Sequence, residues 1–501
     1  MVAANATPDS PADGGGLQAD RLVLLALFGI AFLRSLAVIA SPLELGVDEA
    51  QYWLWSQRFD FGYFTKPPLT SWIIGLSHGI FGHHPWAVRL PAPWLHLATA
   101  LVLWRAAGWL GGRTAGRWAA VLWTTLPAVG LGGFLISTDT PLLLFWSLGL
   151  MAMIGVTGRH IGPHRGMLLA GAAFGAAFMA KYAAIYGVLG LLIFILLERI
   201  WRGKQPFSSL QLALFGGGFL LLAAPNLIWN LSHDFATVRH LGDNANLTRQ
   251  SFDFGNSLDF LGAQFFTAGP LCFALMLGVL RLRRQAAESS LLFAFSVPPL
   301  LIITIQAFLS EANANWALAA MPALVLWLAS WPSRTLPGKP GQTRHRLLQV
   351  ATGLNGLLCA ILLVVCWAGN MGPLTPESDP LRRLRGWQAL ATDTQTALAA
   401  HRSTTVIADR RASAALLHWH FHNSGITVLV HDRDGHPSNH YEANHPWTPQ
   451  PGRRIVALHG GDAPPAIDAI SWEDSAGLSD TRIAGNRARV LYLYAGIEDG
   501  G

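Results

Sequence analysis

The sequence predicts a mostly α-helical, polytopic membrane bundle with a small C-terminal α/β domain. Three observations carry the architecture: about eleven apolar runs of spanning or near-spanning length, basic residues confined to alternate loops, and a change of pattern after residue 369. The 501 residues are 51% hydrophobic and 13% charged, against roughly 25% charged in soluble domains. Lipid is therefore the main solvent.

Residues 1–20, rich in Ala, Gly, Asp and Pro, read as a cytoplasmic tail without a cleavable leader. The apolar runs follow at 21–41, 86–104, 114–136, 140–157, 166–180, 183–198, 210–229, 260–280, 288–309, 316–331 and 347–369. They make 21–369 a transmembrane domain with a first outer loop at 42–85. The fifth and sixth runs are separated only by Lys181 and Tyr182 and read as a tight pair.

Alternate connections carry the positive charge: Arg105, Arg113 and Arg117; Arg159 and Arg165; Arg199, Arg202 and Lys204; Arg281, Arg283 and Arg284; Arg334, Lys339, Arg344 and Arg346. The positive-inside rule puts these on the cytoplasmic side of the membrane. The 42–85 loop, the 137–139 turn, Lys181, the 231–259 loop, the 310–315 turn and the C-terminal domain then face outward. This topology accounts for the formal net charge of +6, so nucleic acid is not an expected partner. Cys272, Cys359 and Cys366 all lie in apolar runs and suggest neither a disulfide framework nor a metal site.

Residues 370–501 read as a soluble, outward-facing α/β domain, with short β-like runs at 404–408, 426–431, 454–458 and 489–494 and a helical stretch near 381–400. If the segment is extended, His418, His420 and His422 share one strand face. Without a carboxylate or Cys at ligand spacing, that face reads as solvated rather than metal-binding.

Chemistry is expected on the outer face. Asp48 and Glu49 precede Tyr52, Trp53 and Trp55, a pattern suited to a short interfacial helix that either anchors the loop or presents its acids. Asp139 has the form of a helix N-cap ahead of Pro141, yet a second carboxylate at the same membrane surface also suits an acid/base or orienting role. Lys66, Lys181 and Arg89 are the candidate contacts for an anionic phosphate. A lysine such as Lys181 between two apolar runs needs a partner or a surface position, because it costs roughly 2.5–3.5 kcal/mol at the bilayer centre. Tyr52, Tyr63, Arg239, His240, Arg249, Glu311 and Asn315 are candidate substrate-binding residues. His233, Asp234 and His240 lack the spacing of a helical metal motif.

The ordered motifs Asp48-Glu49-Ala50-Gln51-Tyr52, Tyr63-Phe64-Thr65-Lys66-Pro67-Pro68-Leu69, Val88-Arg89-Leu90-Pro91, Ser137-Thr138-Asp139-Thr140-Pro141 and Lys181-Tyr182 resemble those of the bacterial GT-C glycosyltransferases. That group includes the protein O-mannosyltransferase-like family, the lipid A aminoarabinose transferase and the rhizobial galacturonosyltransferases, and the resemblance runs from residue 21 to about 330. It implies a sugar donor on a polyprenyl phosphate and transfer at the outer membrane face. It also implies that Asp48 is the first-loop catalytic acid, Asp139 the second outer-face acid and Lys66 the donor-phosphate contact, with Glu49 beside Asp48.

Thr65 stands where the aminoarabinose enzyme has a carboxylate, so a metal site built there does not carry over. No cofactor is expected beyond the polyprenyl-phosphate sugar, which is a co-substrate. A fixed cation such as Lys66 is suited to stabilising the phosphate charge that grows as the bond breaks. A single displacement with inversion onto a glycolipid, lipid A or lipopolysaccharide core, is the leading expectation. Protein O-mannosyl transfer is the nearest alternative, and a lipid or sugar transporter the rival from another class. The gathering of polar residues at the outer face, instead of mid-membrane, weighs against transport.

Overall fold

The computed structural model describes residues 14–233, 235, 252–280, 287–332, 341–372, 378–432, 434–483 and 486–499. Among them six helices are long and apolar enough to cross a membrane: Gly15–Ala40, Asp139–Thr157, Tyr182–Arg202, Ser209–Ser232, Ala287–Leu309 and Gln342–Ala368. The helices Phe254–Ala268 and Pro270–Leu280, bent by 109°, make a seventh if taken as one span. Other apolar runs appear as broken or shorter helices, for identifiable reasons. The run at 86–104 and the first half of that at 114–136 fall in Pro91–Thr125, which loses helical geometry at Gly111 and Gly112, the latter at φ 77°, and the second half forms the short helix Pro127–Gly132. The run at 316–331 starts as the 3₁₀ segment Ala314–Ala320 and becomes α-helical only over Met321–Ala329.

The contacts divide the chain into two units, Met1–Leu36, Ala92–Leu227 and Gly242–Leu363 against Ala37–Pro91, Ile228–Leu241 and Val364–Gly501. In the first, helix Pro163–Ala180 meets helix Ser209–Ser232 at small residues. A Cβ on Gly171 would fall 1.9 Å from the Phe215 carbonyl, and one on Gly175 2.5 Å from that of Phe219, the close backbone approach by which helices associate in lipid. Trp146, Phe174 and Phe295 fill the core nearby, with ring centroids 5.3–5.8 Å apart. On the basic side, Asp20 pairs with Arg113 at 2.6 Å and Arg117 at 3.3 Å.

The second unit combines Ala37–Pro91 with the C-terminal residues. Its sheet has β1 (Thr405–Ala408), β2 (Thr427–Val430), β3 (Arg454–His459), β4 (Ile470–Ile483) and β5 (Asn486–Glu498) in the order β2-β1-β3-β5-β4. Pairing is parallel across β2, β1 and β3, and antiparallel from β3 through β5 to β4. Strand β4 has no counterpart among the sequence-predicted runs because, as a largely polar edge strand, it lacks a clear apolar alternation. His418 and His420 correct a sequence expectation: they lie on helix Arg411–His420, not on a strand. Two residues apart on a helix are turned roughly 200° from each other, so the shared face disappears.

Candidate functional site

Helix Val47–Ser56 sets the constellation of the second unit. Its start is fixed by the Glu49 carboxylate, which accepts the Gly46 N–H at 2.9 Å, the reach-back half of a capping box. Consecutive helical residues diverge by roughly 100°, so Asp48 and Glu49 part company. Glu49 points inward and receives Arg89 Nε at 3.0 Å and Nη2 at 2.7 Å. Arg89 also donates to the Leu43 and Glu44 carbonyls, at 3.0 and 2.6 Å. These two side chains are 5% and 1% exposed. Asp48 is 64% exposed and receives Arg411 Nη2, while Arg411 Nε donates to Gln51 Oε1 at 2.7 Å.

Glu44, three residues before Val47, supplies a second link within this unit. Its carboxylate accepts the N–H groups of Gly386, Trp387 and Gln388 at 3.0, 2.6 and 3.0 Å, closing the positive end of helix Trp387–Ala400. Burial pushes the Glu44 carboxyl up from its ordinary value, against the opposing pull of those three amides. Aromatic packing completes the seam. Trp53 meets Trp419 edge-on at 4.8 Å, and His83 stacks between Trp419 at 3.7 Å and His422 at 4.7 Å. Burial holds the His83 imidazole down to about 4.

Lys66 is half-buried, and its carbonyl accepts the Tyr63 N–H at 3.1 Å. Tyr63 lies flat on Trp55, with centroids 5.0 Å apart and planes 3° from parallel, and its hydroxyl donates to the Arg58 carbonyl at 2.9 Å. Tyr52 is buried 5.7 Å from Trp55.

The membrane unit carries its own constellation. Asp139 opens helix Asp139–Thr157, but its carboxylate does not cap that helix; Ser137 Oγ accepts the Asp139 N–H instead, at 3.2 Å. Asp139 Oδ1 receives Lys181 Nζ at 2.7 Å and Oδ2 receives Asn315 Nδ2 at 2.8 Å. Lys181 projects from an extended residue, φ −157° and ψ 134°, between Pro163–Ala180 and the 3₁₀ turn Tyr182–Ala184. The break between the fifth and sixth apolar runs thus places the lysine beside its acid. Asp139, Thr140 and Asn315 line a cavity of 430 Å³ whose remaining walls are mainly apolar, from Trp123 and Leu126 to Phe266 and Leu362.

The structure therefore gathers Asp48, Glu49, Arg89 and Tyr52 around one helix, and Asp139, Lys181 and Asn315 around another. Glu311 is exposed four residues before Asn315. Arg239, His240 and Arg249 lie outside the described residues. Among the described residues, no group of three or more His, Cys, Asp or Glu is arranged to hold a metal ion. Sequence reasoning missed Arg411 and Gln51. A signal for Arg411 existed: an arginine in the first turn of a helix is disfavoured by the dipole and implies a compensating carboxylate.

Comparison with known proteins bears on this arrangement. The family model described as dolichyl-phosphate-mannose-protein mannosyltransferase matches residues 65–229. The lipid A galacturonosyltransferase of Rhizobium johnstonii is 32% identical over 430 residues, covering 84% of this chain and 86% of that protein. The undecaprenyl phosphate-α-4-amino-4-deoxy-L-arabinose arabinosyl transferase of Pectobacterium carotovorum is 26% identical over 393 residues, covering 72% and 67%. The fold matches the crystal structure of ArnT from Cupriavidus metallidurans bound to undecaprenyl phosphate, with a TM-score of 0.64 at 12% identity over 95% of this chain and 98% of that one.

Proposed function

We propose that this chain, which belongs to the GT-C glycosyltransferase family of the lipid A galacturonosyltransferases, moves a sugar from a polyprenyl-phosphate carrier to lipid A or a lipopolysaccharide-core glycolipid. The step takes place at the periplasmic face of the inner membrane. The observation that carries the reading is the unequal fate of two adjacent acids: Glu49 is enclosed with Arg89, and Asp48 is exposed beside Arg411.

In the reaction, the acceptor hydroxyl loses its proton to Asp48 as its oxygen attacks the anomeric carbon. The bond from that carbon to the carrier phosphate breaks, and the phosphate leaves with the electron pair. Lys66 meets the charge that grows on the phosphate oxygens, where a fixed cation is worth most away from bulk water. Glu49 and Arg89 take a positioning role in place of the catalytic and phosphate-binding roles expected from sequence. Their donors and acceptors are committed to each other and to the loop backbone. Lys181 and Asn315 hold Asp139 as an orienting carboxylate. The cavity beside Asp139 suits part of an isoprenoid chain, being apolar over most of its wall, with polar residues His96, Ser137, Asp139, Thr140, Thr267 and Asn315 among its lining.

The match to the mannosyltransferase family model over 65–229 favours a protein acceptor as the second reading. Mass spectrometry of lipid A and core glycolipid from cells with and without this protein separates the two. One missing sugar mass on the glycolipid supports the proposal. Unchanged glycolipids with a hexose missing from an envelope protein overturn it.

A further inference from the structure

The second unit carries a basic surface where two membrane-length helices stop. Helices Gly15–Ala40 and Gln342–Ala368 end side by side: Ser41 Oγ donates to the Cys366 carbonyl at 2.6 Å, and a Cβ on Gly369 would fall 2.5 Å from Pro42. Ile39, Val364 and Trp367, at these two helix ends, are large apolar groups left exposed. In a chain that crosses a membrane such residues face lipid, and a tryptophan at the end of a span suits the polar boundary of the bilayer.

The 3₁₀ turn Pro380–Leu384 is fastened to this junction. Its sequence, Pro-Leu-Arg-Arg-Leu, has two leucines three residues apart, which a 3₁₀ turn stacks on one side. Leu381 and Leu384 are accordingly buried, while Arg382 and Arg383 are exposed. The Leu384 carbonyl accepts the Glu44 N–H at 3.0 Å, and Arg385, the next residue, donates through Nη2 to the Gly369 carbonyl. Asp379 fixes the start of the turn by accepting the Leu381 N–H at 2.8 Å and pairing with Arg385 at 3.0 Å. Asp379 is buried in that pair, so Arg382 and Arg383 set the sign of the turn's exposed face. One arginine side chain spans the distance from this turn to the end of the membrane helix. That places the face within the headgroup layer, which adds roughly 5–7 Å to each side of the hydrocarbon core.

We infer that the exposed face of Pro380–Leu384 is a docking surface for anionic phospholipid, with Arg382 and Arg383 on the headgroup phosphates and Trp367 at the boundary of the acyl chains. Position and sign together select the partner. A basic face at this depth meets phosphodiesters, and an anionic leaflet attracts it where a zwitterionic one carries no net charge. The surface is independent of the transferase reading and stands whether or not the chain transfers sugar. Lipid held there also fixes the depth of the turn and, through the bond between Leu384 and Glu44, of the residues that lead into helix Val47–Ser56.

The test is photocrosslinking of the full chain in lipid nanodiscs. The probe is a phosphatidylglycerol with a diazirine on its headgroup, and mass spectrometry locates the adducts. The expected result is adducts within 379–385, displaced by unlabelled phosphatidylglycerol at about tenfold lower mole fraction than by phosphatidylcholine. Arg382→Gln combined with Arg383→Gln weakens capture about tenfold. Arg382→Lys combined with Arg383→Lys retains it, because a charged leaflet requires the charge and not the guanidinium fork. A tenfold change corresponds to about 1.4 kcal/mol, within what two arginines gain at an anionic surface. Both substituted residues are exposed, so the variants should fold. Equal displacement by phosphatidylcholine, capture unchanged in the glutamine variant, or a lysine variant as weak as the glutamine one overturns the inference. Displacement by inorganic phosphate as readily as by phosphatidylglycerol overturns it too, as a site for free anions. Displacement by lipid A but not by phosphatidylglycerol overturns it in favour of an acceptor contact.

Discussion

The first unit, with its membrane-length helices, and the second, with its sheet, each hold a carboxylate against a cation, in opposite circumstances. Asp139 is 7% exposed, and its two oxygens are separately held by Lys181 and Asn315. Asp48 is 64% exposed, with Arg411 on one oxygen and no partner on the other among the described residues. A carboxylate with both oxygens committed fixes geometry; one with an open oxygen in reach of water and ligand can accept a proton. Glu49 sharpens the contrast, because it adjoins Asp48 in sequence yet shares the enclosure seen at Asp139. Adjacency along a helix says nothing about shared duty when the turn sends the side chains into different surroundings.

The largest effect is expected where enclosure is greatest. Arg89→Met leaves the Glu49 carboxylate buried without its cation, and breaking a buried pair from one side costs about 3–5 kcal/mol. Thermal unfolding followed by tryptophan fluorescence should show a strong loss of stability. An unshifted transition would mean that the pair is not structural, and the contrast with Asp48 would break.

Acidification tests the same unit more gently. Burial holds His83 and His420 at about 4 and His418 at about 3 in the folded chain, below the roughly 6.5 of an unfolded histidine. Between those values the unfolded chain binds protons that the folded one does not. Their stabilisation is therefore complete above about pH 6.5 and is lost as pH falls toward 4. Glu44, whose carboxyl is pushed up by burial, works in the opposite sense over the carboxylate range and offsets part of the loss. A pH series of thermal transitions checks this, with a flat profile between pH 7 and 4.5 counting against it.

The smallest effect belongs to the open pair. Arg411→Gln removes an exposed contact worth about 0–1 kcal/mol, so the unfolding temperature should stay nearly unchanged. Turnover should fall by less than about tenfold as Asp48 loses its restraint. A collapse of stability would place Arg411 with the enclosed group.

The helical membrane architecture was legible in the sequence because apolar length is a strong signal in lipid. The short helix at Asp48 and the break at Lys181 followed from the same patterning. What stayed hidden required partners distant in sequence. Arg411 is 363 residues from Asp48 and Asn315 is 176 from Asp139, and no local period announces such pairings. Arg89 read as a candidate phosphate contact because, in sequence, a basic residue at a helix end looks the same whether it faces lipid headgroups or a buried acid. Strand β4 escaped notice because its residues are polar at an edge, and His418 and His420 looked extended because alternation alone does not reveal the helix that carries them.

The decisive measurement sets Asp48→Asn beside Glu49→Gln in one preparation, reading sugar transfer from a polyprenyl-phosphate donor together with the unfolding temperature. The account predicts that Asp48→Asn lowers turnover by about 10²- to 10⁴-fold, the scale of lost general-base catalysis, at nearly unchanged stability, while Glu49→Gln chiefly lowers the unfolding temperature. Wild-type turnover in Asp48→Asn, or a stable but inactive Glu49→Gln, would contradict it.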